Sequence, residues 1–216
     1  TGKHPMARYW MHNGHLTLDN EKMSKSLGNI LRIRDIVAEV PAEALRLLYV
    51  DTHYRSPLPY SSEKLVNALA ALDRVYTAKE TVEQVVAGGA GEPADTLGEA
   101  GREVFRLGQA FPERFATAMD EDFNAAEALG ALFELVRAVN RFGNDKKARA
   151  KGALALAPAA AAFTLAGDVL GIGKMDPAAF FDEVKVKRLR AAGKSREEID
   201  DLVQARGAAR AAKDWA

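Results

Sequence analysis

Lysine and serine side chains that could bind phosphate lie close together near the beginning of the 216-residue chain. They are Lys22, Ser24, Lys25 and Ser26, grouped around Met23 and followed by Gly28. Ammonium groups are compact charges with three donors each, and hydroxyls add further donors, so the set suits an oligophosphate. Glycine lets the backbone approach a ligand closely. A solvent-exposed turn has the same composition, so the residue types alone leave both interpretations open.

The order of these residues narrows the interpretation. Lys-Met-Ser-Lys-Ser at 22–26, followed by Leu-Gly-Asn, resembles letter for letter the second signature of class I aminoacyl-tRNA synthetases. The resemblance implies that the whole loop binds ATP, with Lys25 on the phosphates, Met23 packed on nucleotide or protein, and the remaining members Lys22, Ser24 and Ser26 completing it. Lys22 and Lys25 would then be catalytic, because preorganised positive charge stabilises the departing pyrophosphate.

Longer stretches resemble one group within that class. The segments 7–29, 43–61, 119–141 and 209–216 are similar, in this order, to cysteinyl-tRNA synthetases. The resemblance implies a ligase that activates cysteine with ATP and Mg²⁺ and transfers it to tRNA(Cys). It also implies a helical bundle of the DALR type, named for a pattern that Glu43-Ala-Leu-Arg46 approaches with Glu in place of Asp.

Several parts of such an enzyme are not found in the sequence. The resemblance implies a zinc site built from cysteine, histidine and glutamate, but this chain has no cysteine, so we expect the zinc ligands to lie outside it and no metal site within it. His12-Asn-Gly-His15 has the letters of the first class I signature, but it falls on an expected turn and not at a helix start. We therefore expect the nucleotide-binding half to be missing, the start to be internal to a longer protein, and this chain alone to be inactive.

The expected fold is mainly α: a short β-hairpin and the KMSKS loop, then an antiparallel helical bundle, then part of a small C-terminal helical domain. The expected divisions are 1–56 for the end of the catalytic half, 57–172 for the bundle, and 173–216 for the beginning of an anticodon-binding domain that is truncated or disordered beyond. Asn13-Gly14 favours a type I′ turn between strands at 9–11 and 16–18. Tyr9 and Trp10 are then expected to pack in the hairpin core.

Apolar residues at three–four spacing predict the helices. The first begins at Ser61 or Ser62, the second covers about 96–119 with a break or bend near Pro112, and a capping box at Asn124–Glu127 begins the third. A fourth is expected at about 157–170, ended by Gly171. Two more follow, at about 180–192 and after a capping box at Ser195–Glu198. The last of these should turn its apolar residues inward (Ile199, Leu202 and Val203).

Thirty basic residues balance thirty acidic ones, so the chain has no overall basic surface for nucleic acid. Local tRNA contact remains open for the exposed cations that follow the loop or lie near the end of the chain, each of which could equally be a solvated charge. These are Arg32, Arg34, Arg206, Arg210 and Lys213. No signal-peptide pattern or run of about 18 apolar residues is present, so we expect a cytoplasmic monomer without membrane contact.

Two other functions compete with the ligase. One is a non-catalytic tRNA-binding or structural helical module, against which the intact signature at 22–26 argues. The other is the related cysteine ligase of mycothiol synthesis, which joins cysteine to an amino sugar. The resemblance implies that this enzyme lacks the anticodon-type tail, so the C-terminal stretch 194–216 argues against it.

Overall fold

The computed structural model describes residues 6–18, 21–22, 31–89 and 91–211. Within these residues the chain is mainly helical, with one small sheet near the N-terminus. The strands are β1 (Leu16–Leu18), β2 (Glu21–Lys22) and β3 (Leu58–Tyr60). The helices are α1 (Ile33–Glu39), α2 (Ala42–Val50), α3 (Ser62–Ala87), α4 (Gly98–Asp120), α5 (Ala125–Gly143), α6 (Lys146–Arg149), α7 (Ala153–Leu170), α8 (Pro177–Ala191) and α9 (Arg196–Ala211), with a short 3₁₀ helix at Ala94–Leu97.

Several predicted caps and stops of the long helices are confirmed. The Ser61 hydroxyl accepts a hydrogen bond from the Lys64 backbone N–H at 3.2 Å and so caps α3. Asn124 caps α5 by accepting from Glu127 N–H at 3.2 Å. Gly171 ends α7 in the left-handed conformation, at φ 69°, which glycine adopts without steric cost. These confirmed helices form the mainly α fold.

Two helices that contain a proline differ from prediction: one is not interrupted there, and the other begins earlier. Helix α4 continues through Pro112 to Asp120, although the sequence suggested a break or bend there. Helix α7 begins at Ala153 and includes Pro158, several residues earlier than predicted. Burial explains the second difference, since Ala153, Ala155 and Leu156 lie in the core and extend the apolar side of the helix upstream.

The core lies where α3, α4, α5 and α7 pack on one another. Its largest fully buried side chains come from all four helices and from α8; examples are Tyr76, Phe111, Phe142, Leu156 and Phe180. Helix α4 is joined to α5 by the short connection 121–124 and packs along it, as expected for antiparallel neighbours. Contacts from α2 and α8 also reach this core, while the division at 56/57 and 172/173 stays a prediction.

Helix α7 is, within the described ranges, long and apolar enough to cross a membrane by length and composition. Half of its residues are buried inside the structure, where they contact α3, α4 and α5. This is the arrangement of a core helix.

The predicted hairpin is wrong in position. The strand predicted at 16–18 is confirmed as β1, but residues 9–15 form no strand, and β1 instead pairs antiparallel with β2. Gly14 does not have the positive φ that a type I′ turn requires. Tyr9 and Trp10 are 89% and 66% exposed, so they do not pack in a hairpin core.

The last helix also differs from prediction. The capping box is confirmed, since Glu198 N–H donates to the Ser195 hydroxyl at 3.1 Å and Ser195 N–H donates to the Glu198 carboxylate at 2.7 Å. Leu202 and Val203 were expected to face inward, but they are 59% and 62% exposed, and Ile199 is only half-buried. Helix α9 therefore forms from its cap and propensity, without a core against it in the described part of the chain.

Candidate functional site

The signature segment, residues 22–26, is reached through a three-stranded sheet. The strand order is β2-β1-β3, with β1 antiparallel to β2 and parallel to β3. Lys22 ends β2, where its backbone lies opposite Thr17. The other members of the segment, Met23 to Ser26, lie outside the described residues. The structure thus describes the stem through which the chain enters the segment, here called the N-terminal stem (β1 and β2).

Backbone contact joins this stem to the 52–60 stretch. Gly14 N–H donates to the Tyr54 carbonyl at 2.7 Å, and Leu58 N–H donates to the His15 carbonyl at 2.9 Å. A Cβ atom on Gly14 would lie 2.0 Å from the Ser56 carbonyl oxygen. Glycine is therefore required here by close approach of two backbones, and not by a turn. His12 and His15 flank it in irregular backbone ahead of β1, and not at a helix start.

Asp122 ties the same stretch to the connection between α4 and α5. Its carboxylate accepts from Arg55 Nε at 2.5 Å and Nη2 at 3.1 Å, one bond to each oxygen. The Tyr54 hydroxyl donates to it at 2.7 Å, and His53 Nε2 lies 3.9 Å away. The segments 43–61 and 119–141, which the sequence analysis found similar to cysteinyl-tRNA synthetases, thus meet at one carboxylate.

The electrostatics and backbone of this contact are unusual. Hydrogen bonds from Arg55 and then Tyr54 hold the pKa of Asp122 down at about 2, and the bond to Asp122 raises the pKa of Tyr54. Asp122 and Phe123 both have φ 55°, a region that non-glycine residues occupy only where their surroundings fix them. A metal-binding interpretation of the acidic residues 120–122 is not needed, because the Asp122 carboxylate binds Arg55 and Tyr54.

The chain leaves the signature segment through α1 and α2, here called the C-terminal stem. Glu43 in α2 is buried, and its carboxylate accepts from the Tyr76 hydroxyl, from Gly173 N–H, and from Lys174 N–H at 3.3 Å. Met175 N–H in turn donates to the Tyr76 oxygen at 3.0 Å. Burial first, and the bond to Glu43 second, raise the pKa of Tyr76 far above its usual value. This cluster fixes α2 on α3 and on the 173–175 turn.

Sequence reasoning placed Glu43 only in the DALR-like pattern and missed its buried hydrogen bonds. A signal was present, because Glu43 lies four residues before the buried Leu47 and so shares the apolar face of α2. A carboxylate on such a face needs hydrogen-bond partners from elsewhere in the fold. Their identity could not be read from sequence, since Gly173 lies 130 residues away.

Comparisons with known proteins identify two families along the chain. Residues 1–70 match the family described as tRNA synthetases class I (C) catalytic domain, and residues 114–174 match the DALR domain. A cysteine–tRNA ligase of Geotalea uraniireducens is 40% identical over 98% of this chain. Those of Geobacter sulfurreducens and Thermodesulfovibrio yellowstonii are 41% and 40% identical over 98% and 100% of it. By sequence, the chain matches one part of cysteinyl-tRNA synthetases.

The chain spans less than half the length of these family members: 44%, 42% and 43% of the three relatives. Among solved structures, one chain in the ternary complex of Agrobacterium radiobacter K84 agnB2 LeuRS-tRNA-LeuAMS is similar, with a TM-score of 0.60. The likeness covers 78% of this chain and 21% of that chain, at 21% sequence identity. At this identity the likeness concerns the fold.

The cations predicted for tRNA contact are on the surface wherever they are described. Arg32 precedes α1 and is exposed, and Arg34 lies 4.0 Å from Asp35 with 73% of its side chain exposed. Arg206 and Arg210 are exposed on α9, while Lys213 lies outside the described residues. Exposure is compatible with RNA contact and with simple solvation, so the tRNA assignment stays a prediction.

No group of three or more potential metal ligands occurs in the part of the chain that the structure describes. The zinc expected in cysteinyl-tRNA synthetases therefore finds no fitting ligand set among these residues. Its ligands are expected elsewhere in the family's sequence, and we assign no step to zinc.

Proposed function

We propose that this chain contributes the pyrophosphate-stabilising loop and the DALR-type bundle to a cysteine–tRNA ligase. The ligase activates cysteine with ATP and Mg²⁺ and transfers it to tRNA(Cys). One observation carries the proposal: an unaltered Lys-Met-Ser-Lys-Ser segment lies between two structured stems in a chain that is 40% identical, over 98% of its length, to a cysteine–tRNA ligase.

In this proposal Lys25 and Lys22 act on the triphosphate. Adenylation breaks the bond between the α- and β-phosphates as the cysteine carboxylate attacks the α-phosphorus, and negative charge accumulates on the departing pyrophosphate. Two ammonium groups in a preorganised loop stabilise that charge most in the transition state. Ser24 and Ser26 add hydroxyl donors, and Met23 supplies an apolar contact that holds the loop.

The stems make such preorganisation possible. A loop of lysines and serines loses much conformational entropy when it is ordered, so fixed ends reduce the cost of closing it on a ligand. The N-terminal stem is hydrogen bonded through β1 to β3, and the C-terminal stem is fixed by the buried Glu43 cluster. Both stems therefore connect to the helical bundle.

The remaining assignments follow from the family. We propose that Arg32, Arg34, Arg206, Arg210 and Lys213 contact tRNA, that the enzyme works as a cytoplasmic monomer, and that it has no membrane partner. Divisions at 56/57 and 172/173 would separate the end of the catalytic half, the bundle, and the beginning of an anticodon-reading domain.

The test is cysteine-dependent exchange of pyrophosphate into ATP by the product of the whole reading frame that encodes this chain, followed by acylation of tRNA(Cys). We expect exchange with cysteine and not with methionine or serine, and transfer to tRNA(Cys). Exchange with cysteine followed by transfer only to an amino sugar would instead identify the mycothiol-type ligase. Binding of tRNA without any exchange would identify a non-catalytic module.

A further inference from the structure

Helix α1 directly follows the signature segment, yet it is weak as an isolated helix. It has seven residues, Ile33–Glu39, whereas isolated helices below about 12–15 residues are marginal in water. Its N-cap, Arg32, makes no side-chain capping bond among the described contacts, and none of the helix's own residues, all of them described, is buried. Its last turn contains no basic residue to match the helix dipole. The position of α1 must therefore come from its neighbours.

Helix α8 provides the missing cation. Lys187 Nζ donates to the Val37 carbonyl at 2.6 Å, in the last turn of α1, where intrahelical bonding leaves carbonyls without donors. The Lys187 side chain is only 16% exposed, and Glu183, one turn earlier on α8, lies 3.5 Å from its ammonium. Glu183 on α8 thus holds the Lys187 ammonium in place, and the ammonium caps the C-terminal end of α1.

Helix α8 is in turn fixed to the bundle at its beginning. Phe180 is fully buried and stacks on Tyr76, with ring centroids 3.9 Å apart and an interplanar angle of 13°. Tyr76 binds Glu43, and Lys79 Nζ donates to the Met175 carbonyl at 2.5 Å just before α8. Lys187 therefore contacts α1 from a helix that is itself packed on the bundle. The residues that fix α1 and α2 in these contacts all lie between 173 and 187.

We propose that Lys187 is a positioning residue for the KMSKS loop, because it caps α1, the first helix after residues 22–26. This inference rests on the proposed function, because the loop matters only if it acts on ATP. In this proposal α8 helps to orient Lys25, although Lys187 lies 161 residues after Ser26 in the sequence. Since Lys187 acts through α1, its loss changes how well the loop is oriented and not which groups bind ATP.

The first measurement is amide hydrogen exchange on the 216-residue chain, and it needs no enzymatic activity. Lys187→Met should speed exchange in the last turn of α1 by about tenfold, the change expected when one charge-assisted hydrogen bond is lost. Lys187→Arg, which keeps a cationic donor, should restore most of the protection. Lys185→Met, at an exposed position on the same helix, is the matched control and should leave α1 unchanged. Equal α1 exchange in Lys187→Met and the unaltered chain would overturn the inference.

The second measurement is single-turnover formation of cysteinyl-adenylate by the product of the whole reading frame. Lys187→Met should lower the rate at saturating ATP by about tenfold, while KM for ATP changes less than twofold, because orientation of a transition-state contact is lost. Lys187→Arg should recover the rate, and Lys185→Met should match the unaltered enzyme. Glu183→Gln is a second variant, for use if Lys187→Met does not fold. It keeps Lys187 but removes the charge that orients it, so it should give a smaller loss of rate in the same direction.

These outcomes separate the two proposals. If the unaltered enzyme showed no cysteine-dependent adenylation, the proposed function would be rejected. The amide hydrogen exchange data would still test whether the Lys187–Val37 contact stabilises α1. An active unaltered enzyme whose Lys187→Met and Glu183→Gln variants both keep the full single-turnover rate would reject the positioning role. Loss confined to KM would also reject it, since it would indicate a change in ATP binding.

Discussion

Asp122 shows how one residue can hold two distant parts of this chain. Its carboxylate accepts three hydrogen bonds from Tyr54 and Arg55, and it sits in a left-handed conformation next to Phe123, which has the same φ. Each such backbone position costs on the order of 1–3 kcal/mol and persists only where other contacts fix it. The bidentate contact from Arg55 is the strongest of these contacts, because both nitrogens meet both oxygens.

We predict that Asp122→Asn lowers stability at neutral pH and that the difference disappears in acid. Asparagine tolerates the left-handed backbone but carries no charge for Arg55. The folded-state pKa of Asp122 is about 2, below the ordinary value of 3.8, so its stabilisation is complete above pH 4 and is lost as the pH falls toward 2. Urea denaturation of both chains at several pH values between 7 and 2 measures this.

The matched control is Asp120→Asn, at an exposed position two residues earlier. It should change the urea midpoint little at any pH. A double-mutant cycle with Arg55→Met should show coupling to Asp122 at pH 7 that is much smaller near pH 2. A constant difference between Asp122→Asn and the unaltered chain across the whole range would show that charge plays no part.

A second prediction at this scale concerns Lys25. In the product of the whole reading frame, Lys25→Ala should lower single-turnover adenylate formation by about 10²–10³, roughly 2.7–4 kcal/mol, by analogy with loss of one oxyanion donor. KM for ATP should rise much less, because ATP already carries most of its charge in the ground state. Lys25→Arg should recover only part of the rate, since a planar fork does not replace a compact charge.

Single-turnover assays at saturating ATP and cysteine measure this effect. Lys194→Ala, far along the sequence and exposed, serves as the control for loss of one positive charge. If Lys25→Ala kept its rate and changed KM alone, the loop would act as a clamp for ground-state ATP.

At the scale of elements, the helices were predictable because their signals are local. Ser61, Asn124 and Ser195 each cap the helix that follows them, and Gly171 ends α7. The hairpin was misplaced because Asn13-Gly14 carries the same letters as a tight turn while serving a tertiary contact with Ser56. The tertiary contacts of Glu43, Asp122 and Lys187 were missed because their partners lie 33 to 150 residues away, at separations that periodicity does not report.

The Gly14 contact leads to a prediction about the N-terminal stem. Gly14→Ala should destabilise the sheet, because the new Cβ would lie 2.0 Å from a backbone oxygen that cannot move without breaking the Gly14–Tyr54 hydrogen bond. We expect faster amide exchange in β1 and β3 and little change in α4 or α7. Hydrogen exchange with mass spectrometry measures it.

Gly130→Ala is the control, because it makes the same substitution where a Cβ meets no neighbour. Gly130 lies within α5, and nothing stands within 4 Å of a Cβ placed there. Alanine is favoured over glycine inside a helix by about 1 kcal/mol, so this variant should be slightly more stable. Equal protection of β1 in Gly14→Ala and the unaltered chain would mean that residues 14 and 56 separate at no cost.

At the scale of the molecule, both stems of the signature segment are supported by the helical bundle. The N-terminal stem reaches it through β3 and Asp122, and the C-terminal stem reaches it through Glu43 and Lys187. Since α3, α5 and α7 share one core with residues of α2 and α8, these supports belong to a continuous packed body. The bundle thus also supports the two stems on either side of residues 22–26.

The last prediction is that the 216-residue chain alone binds ATP only weakly. The phosphate-binding groups that we propose lie at 22–26, but the chain spans 44% of the Geotalea uraniireducens relative, and we assign no adenine or ribose contacts to it. A loop that gains only phosphate contacts must be ordered at the expense of its own entropy, so we expect a Kd of about 1 mM or weaker, close to −4 kcal/mol. Calorimetry with ATP and Mg²⁺ measures it, and inorganic triphosphate should bind as well as ATP. The double variant Lys22→Ala, Lys25→Ala should bind neither. Micromolar affinity for ATP with a marked preference over triphosphate would contradict the prediction, because it would require a nucleoside site within these residues.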